Sequence, residues 1–217
     1  MIAVQLASIL EVSGYPKPGN VHRTADFPDT RYEHFLIGGV AIGPAASRAA
    51  VRGAMAAKGG IGLADIRIGE CIKKAVLDIR RSHEGGNTHL GMSLLLIPLA
   101  AAAGKTYVED GKIEPGRLRK NVELVMRSTT PADSAYTYDA VVEASRPRKA
   151  NIRKKVGWLG NVKSGWPDIS NGDAMERLLE EGVSLYGWMK ASSRWDGIAR
   201  ELTTGMRVSF KTGYPTL

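Results

Sequence analysis

The chain has 217 residues, of which 43% are hydrophobic and 24% are charged. It is therefore long enough for one globular domain, and its composition excludes a disordered or fibrous protein. The single cysteine, Cys71, excludes an internal disulfide framework and a multi-cysteine zinc site. The formal net charge of +8 favours anionic partners such as nucleotides, polyphosphates or nucleic acids, without choosing among them.

The first half of the chain has the pattern of helices separated by two glycine-bearing loops. The first predicted helix ends near Gly14 and is expected to bury a face of four apolar residues at three- and four-residue spacing: Ile2, Leu6, Ile9 and Leu10. A long helix rich in small residues is expected over 32–57, with a bend at Pro44. Two more helices are predicted around 68–79 and 90–103, and the second of these is expected to be buried on most sides.

The second half continues the helical pattern apart from one basic stretch. Pro115 is expected in the first turn of a helix, and Thr130 caps another helix in which Asp133 completes a capping box. No stretch alternates convincingly with period two, so we predict an all-α fold. This fold is one multi-helix bundle over residues 1–217 with Gly/Pro-rich active-site loops. The stretch 146–167 has many basic side chains and no acidic one, which predicts a surface loop or a lid.

The apolar stretches and the N-terminus predict a soluble, cytoplasmic protein with no membrane partner. No basic region precedes the first apolar residues, as it would in a secretory signal peptide. The longest apolar stretch, 90–103, has 14 residues, which is fewer than the ~20 that a helix needs to cross a bilayer.

Residues 15–23, Tyr-Pro-Lys-Pro-Gly-Asn-Val-His-Arg, form the first candidate site. Prolines on both sides of Lys17 reduce the entropy that is lost when its ammonium binds an anion, and Gly19 lets backbone N–H groups approach a ligand. Further donors, a titratable imidazole and two carboxylates suited to Mg²⁺ come from Asn20, His22, Arg23, Asp26 and Asp29. A proline-stiffened turn between helices explains the same residues without a function.

Residues 83–91, His-Glu-Gly-Gly-Asn-Thr-His-Leu-Gly, form the second candidate site, directly before the most apolar predicted helix. Gly85 and Gly86 can present unpaired N–H groups at a helix N-terminus, where an anion is favoured. Asn87 or Thr88 can cap that helix, which is the purely structural interpretation. Three titratable groups beside a buried segment favour an active site: His83, Glu84 and His89. The six-residue spacing of the two histidines excludes the metalloprotease motif.

These two segments, at 16–23 and 85–91, resemble the signature segments of the triphosphoribosyl-dephospho-CoA synthase family. The chain is most similar to the archaeal-type branch, specifically over residues 1–105 and more loosely through 130–134 and 195–215. The resemblance implies an all-helical transferase. This enzyme moves the triphosphoribosyl part of ATP to the 2′-hydroxyl of 3′-dephospho-CoA and releases adenine.

Three departures from the family pattern bear on this resemblance. Asn20 and His22 stand where bacterial members have Leu and Asp, and Leu90 stands where they have a Lys that could contact phosphate. Relatives also continue beyond the position of Leu217 with an acidic and Gly/Thr-rich segment. The chain is therefore expected either to be a fragment, lacking that C-terminal part, or to build its site differently.

The resemblance implies a substitution at the anomeric carbon of ribose through a transition state that resembles an oxocarbenium ion. Binding of ATP and of a dephospho-CoA-like acceptor would then be assigned to Lys17, Gly19, Asn20, Arg23, Gly85, Gly86, Asn87 and Thr88. The expected ligands of Mg²⁺ are Asp26, Asp29 and Glu84. The candidates for the general base are His89, His22 and Glu84. A homo-oligomer is left open.

Two other functions stay open as alternatives. An N-glycosidic hydrolase that resembles the ADP-ribosylglycohydrolases would keep the nucleotide site and use water as the nucleophile. A non-enzymatic RNA-binding module would use the basic stretch, where bases could stack on Trp158 and Trp166. The two glycine loops favour an enzyme, so nucleic acid is not the expected partner.

Overall fold

The computed structural model describes residues 1–146 and 174–213, and in these residues the chain is helical with no β-strand beyond two isolated bridges. The all-α prediction is confirmed. The helices are α1 (Ile2–Ser13), α2 (Tyr32–Ala41), α3 (Gly43–Ala57), α4 (Ile68–Ser82), α5 (Leu90–Asp110), α6 (Pro115–Arg127), α7 (Pro131–Ser145), α8 (Ala174–Glu180), α9 (Leu185–Ser192) and α10 (Gly197–Thr203). Short 3₁₀ and π turns lie at Ala64–Ile66 and Ser209–Gly213.

The centre of the fold is α5, which packs against α3, α4, α6 and α10. Small residues allow its backbone to approach α3 closely. A Cβ added to Gly53 would lie 1.9 Å from the carbonyl oxygen of Ala101, and one added to Gly104 would lie 1.9 Å from that of Ala50. This crossing explains the small-residue composition of the stretch 32–57.

The predicted long helix over 32–57 is divided at Ile42 into α2 and α3. Pro44 lies in the first turn of α3, where its missing N–H group costs no hydrogen bond. The division therefore falls within one turn before the proline that predicted the bend.

The prediction of which face of α1 is buried in the core is wrong. Ile2, Leu6 and Leu10 are 74%, 53% and 59% exposed, whereas Ser8 and Val12 are fully buried. Because Ser8 is small, α1 can approach Gly39 of α2, where an added Cβ would lie 3.4 Å from the Ser8 Cβ. Eight of the twelve residues of α1 are apolar and they lie on all sides of the helix, so periodicity alone could not decide which side faces the core.

Two helical stretches, Tyr32–Ala57 and Leu90–Asp110, are long and apolar enough to cross a membrane by length and composition alone. The helix predicted over 90–103 continues for 21 residues to the left-handed cap at Gly111, so the length argument against a span does not hold. Both stretches pack against each other in the core, and this packing accounts for their apolar character.

The basic stretch 146–167 lies outside the described residues, apart from Arg146 at the C-terminal end of α7. The predicted loop or lid, and the RNA-binding alternative that uses it, stay predictions.

Candidate active site

A cavity of about 370 Å³ lies where the two glycine-bearing loops meet. Lys17 and Asn20 line it from the first loop, and Asn87 and Thr88 line it from the second. Most of the remaining wall is apolar and comes from Val21, Phe27, Phe35, Met92, Leu95 and Ile198. The fold therefore brings two residues of the first loop together with two residues of the second, although the two pairs lie about 70 positions apart in the sequence.

Hydrogen bonds join the second loop to Asp29 and Thr30, which follow the first loop and precede α2, and this contact is the junction between the loops. The Gly86 N–H group donates to Thr30 Oγ1 at 3.1 Å and to the Asp29 carbonyl oxygen at 3.3 Å. The Gly85 N–H group donates to His83 Nδ1 at 3.1 Å. Both amides that were predicted to bind phosphate are thus used within the protein in this conformation.

Close packing requires glycine at both of these positions. A Cβ on Gly85 would lie 2.2 Å from His34 Nδ1, and a Cβ on Gly86 would lie 2.8 Å from Thr30 Oγ1. The Gly-Gly pair therefore has a structural role in closing the junction between the loops.

Lys17 forms an ion pair with Glu11, the single acidic residue of α1. Its Nζ lies 2.5 Å from Glu11 Oε1 and 3.2 Å from the Glu11 carbonyl oxygen. Among the lining residues that the structure describes, Glu11 and Lys17 are the only charged ones. Since these two opposite charges are in contact and offset each other, the cavity presents little net charge to a ligand.

His89 lies behind the cavity wall and not on it. Its Nε2 is 2.7 Å from the carbonyl oxygen of Phe35, which can only accept, so Nε2 carries the proton. Its Nδ1 is buried without a partner in the described part of the chain, and the side chain is 1% exposed. Burial lowers the pKa of His89. The ring packs edge-on against Phe35 at 5.3 Å, so His89 supports the wall, and this geometry does not favour it as the general base.

His83 links the two ends of the second loop. Its Nδ1 accepts from the Gly85 N–H group, so the neutral ring carries its proton on Nε2 and donates to Thr88 Oγ1 at 3.2 Å. The Thr88 hydroxyl therefore accepts from His83, and its own proton is not used in this hydrogen bond. His83 also stacks on His34 with ring centroids 5.2 Å apart, and His34 Nδ1 accepts from the Arg31 N–H group.

Three predicted residues of the first loop lie outside the described cavity lining. His22 Nδ1 is 3.1 Å from Thr24 Oγ1, and the His22 ring meets Tyr15 edge-on. The Arg23 guanidinium lies 5.4 Å from the centre of the Tyr15 ring. Gly19 has a φ of +76°, which explains the glycine by backbone conformation. In this conformation, these residues shape the loop.

The predicted Mg²⁺ ligands do not come together. Asp26 Oδ1 accepts from the Tyr32 N–H group at the start of α2, and Asp29 Oδ1 accepts from Thr30 Oγ1. Glu84 is exposed. In the described ranges, 1–146 and 174–213, no group of three or more His, Cys, Asp or Glu side chains could hold a metal ion. The side chains as placed therefore do not fit a protein-built magnesium site.

Sequence reasoning missed several residues of the cavity, above all Glu11, Phe35 and Ile198. Glu11 had a detectable signal, because it is the one charged residue of a mostly apolar helix and lies one turn before the first loop. Phe35 and Ile198 had none, since they reach the cavity from α2 and α10 only through the tertiary fold.

Comparison with known proteins agrees with this architecture. Residues 1–217 match the family described as CitG: ATP:dephospho-CoA triphosphoribosyl transferase. A crystal structure from Archaeoglobus fulgidus, described as that of a provisionally assigned triphosphoribosyl-dephospho-CoA synthase, is 26% identical with a TM-score of 0.52. The match covers 83% of this chain and 60% of that chain. No curated protein matches the chain.

Proposed function

Because the chain belongs to the ATP:dephospho-CoA triphosphoribosyl transferase family, an enzyme family, we propose a specific reaction for it. The protein transfers the triphosphoribosyl group of ATP to the 2′-hydroxyl of 3′-dephospho-CoA, or of a related acceptor, and releases adenine. The observation that carries this proposal is the shared cavity, in which residues of both signature segments face one ligand-sized space of about 370 Å³.

The transfer breaks the bond between the anomeric carbon and the adenine nitrogen and forms a bond from that carbon to the acceptor oxygen. The bonding electron pair leaves with adenine, and the hydroxyl proton must be removed. Positive charge develops on the ribose in the transition state, so a nearby carboxylate lowers the barrier. Glu11 is the one carboxylate among the described lining residues, and we assign it the stabilisation of this charge and the removal of the proton.

The Lys17 ammonium supports this assignment of Glu11. The Lys17 Nζ atom lies 2.5 Å from Glu11 Oε1 and holds the carboxylate in one position. The second carboxylate oxygen, Oε2, is then available to a ligand. Thr88, whose hydroxyl proton is directed away from His83, supplies a donor for ribose oxygens.

Mg²⁺ stays part of the proposal, although the described side chains do not form a site for it. Mg²⁺ is commonly held by substrate phosphates and water with few protein ligands. We therefore propose that the ion enters with the triphosphate of ATP.

Incubation of the protein with ATP, Mg²⁺ and dephospho-CoA tests the proposed reaction. We expect free adenine by chromatography and an acceptor whose mass has increased by one triphosphoribosyl group. Adenine release that does not require the acceptor would favour the glycohydrolase-like alternative. Absence of adenine with and without acceptor would contradict both enzymatic functions.

A further inference from the structure

We propose that the cavity binds the adenine and ribose of ATP, and that the triphosphate lies outside its mouth. This inference rests on the proposed function, because it assigns one half of a substrate of that reaction to a place in the fold. It reverses the sequence-based expectation that Lys17 and the Gly85-Gly86 amides hold the phosphates.

The charge of the cavity disfavours a polyphosphate inside it. The Lys17 ammonium is already paired with Glu11, so the two charges offset each other and the cavity has no net positive charge to attract a triphosphate. The Gly85 N–H group donates to His83 within the second loop, and the Gly86 N–H group donates to Asp29 and Thr30 across the junction, so neither is available for an anion without losing an existing hydrogen bond.

The walls of the cavity suit a flat heterocycle. Phe27 and Phe35 contribute aromatic rings, and Met92 and Leu95 contribute flexible apolar surface from α5. Aromatic and thioether side chains pack favourably against the faces of a planar ring, and nucleotide bases stack on such side chains with little regard to their edges. A volume of about 370 Å³ lies within the range of small-ligand pockets.

The polar groups of the cavity suit the edge of adenine. The Oδ1 atom of Asn87 accepts from the Leu90 N–H group at 3.2 Å, so the Asn87 amino group is left to donate to a ring nitrogen. Asn20 lines the cavity with an exposed carboxamide, which can accept from the exocyclic amine and donate to the neighbouring ring nitrogen. Adenine offers this donor and acceptor pair, and carboxamides are its usual partners in proteins.

Calorimetric titration of the full chain with separate fragments of the substrates tests the assignment. Adenosine is expected to bind with a dissociation constant within about tenfold of that of ATP. Tripolyphosphate and pantetheine are expected to give no binding at millimolar concentration and not to compete with adenosine. Binding of tripolyphosphate with no binding of adenosine would overturn the proposal, as would competition by pantetheine, which would assign the cavity to the acceptor.

Two variants connect the binding to this cavity. Leu95→Trp fills the space and should weaken adenosine binding more than tenfold. Met92→Ala removes apolar surface from the cavity wall without overpacking and should weaken adenosine binding severalfold. The matched control is Tyr107→Trp on the same helix, at a position that is 61% exposed and distant from the lining. Thermal melts establish that each variant folds, and unchanged adenosine binding in the two folded cavity variants would overturn the assignment.

The outcome of the transfer assay separates this inference from the proposed function. Adenine release in the presence of dephospho-CoA, combined with no adenosine binding, would leave the transferase in place and remove only the subsite. Adenosine binding without any release of adenine would keep the adenosine subsite and contradict the proposed transferase reaction.

Discussion

Glu11 shows how a single residue acquires a role from its position. It is an ordinary acidic residue in the last turn of an apolar helix, yet its contact with Lys17 at 2.5 Å places a fixed carboxylate on the cavity wall. Because carboxylates that face a developing oxocarbenium ion act mainly in the transition state, its loss should affect kcat more than KM.

Glu11→Gln is expected to lower kcat by about 10²–10⁴ with little change in the KM for ATP. The exposed ion pair contributes about 1 kcal/mol or less to stability, so the variant should fold normally. Steady-state kinetics of adenine release measure the effect, and Glu33→Gln, an exposed acid in the first turn of α2, is the control. A kcat within threefold of the parent would return Glu11 to a structural role.

His89 makes the stability of the fold depend on pH. Burial lowers its pKa below the ordinary value of 6.5, so below that pH the unfolded chain binds a proton that the folded chain does not. Stability therefore rises with pH through this range and falls when the solution is acidified below about 6.5.

His89→Gln should make this pH dependence shallower as the pH falls below about 6.5, because glutamine can still donate to the Phe35 carbonyl but does not titrate. Urea unfolding at several pH values measures the slope. His22→Gln, which removes an imidazole from a loop position that is only partly buried, is the matched control. An equal slope in the His89 variant would show that other groups cause the pH dependence.

At the scale of helices, α1 has an apolar side in the core and a second apolar side in solvent. Val12→Ala removes buried methyl groups and should destabilise the fold by about 1–3 kcal/mol. Leu10→Ala, at a position that is 59% exposed, should change the free energy of unfolding by no more than about 0.5 kcal/mol. Urea unfolding of both variants compares the two sides, and equal destabilisation would show that the exposed side is covered in solution.

The crossing of α3 and α5 reverses the usual effect of glycine in a helix. Alanine normally stabilises a helix relative to glycine by about 1 kcal/mol. At Gly53 the added Cβ would collide with the Ala101 carbonyl, so Gly53→Ala should destabilise by about 1–3 kcal/mol instead. Gly197→Ala is the control, because no atom lies within 4 Å of an added Cβ there. In thermal unfolding, the Tm of Gly53→Ala should fall, whereas the Tm of Gly197→Ala should rise or stay unchanged. A higher Tm for Gly53→Ala would contradict the close crossing.

At the scale of the whole molecule, the candidate site depends on the junction between the two loops. Thr30→Val keeps the shape of the side chain but removes the hydroxyl that accepts from the Gly86 N–H group, and should cost about 1 kcal/mol. Because the junction forms the cavity, the KM for ATP should also rise severalfold. Thr30→Ser restores the acceptor and should restore both values, whereas equal kinetics in the valine and serine variants would argue against a role for this bond.

Local sequence patterns predicted most of the elements. The capping box at Thr130 and Asp133 forms as expected, with the Asp133 carboxylate accepting from the Thr130 N–H group at 2.8 Å. The two glycine loops were also identified from sequence, because glycine, proline and short polar residues interrupt an apolar pattern. These features depend on interactions within a few residues, which sequence spacing records directly.

The roles of individual site residues were less accessible from the sequence. His89 was expected as a base because it lies beside glycine and other titratable groups, yet the fold directs its Nε2 to a backbone carbonyl 54 positions away. The Gly85 and Gly86 amides were expected to be free, yet the Gly85 amide donates to His83 and the Gly86 amide donates to Thr30 across the junction between the loops. Such outcomes depend on long-range contacts that compete for the same hydrogen-bonding groups.

The sequence by itself determined that this protein is all-helical, that it has two special loops, and that it resembles one transferase family. Only the tertiary structure decided which side of α1 is buried, that Glu11 and Lys17 share a cavity, and that the predicted metal ligands stay apart. The physical reason is that helical propensity and turn chemistry are local, whereas the charge and shape of a cavity arise from side chains that distant segments bring together.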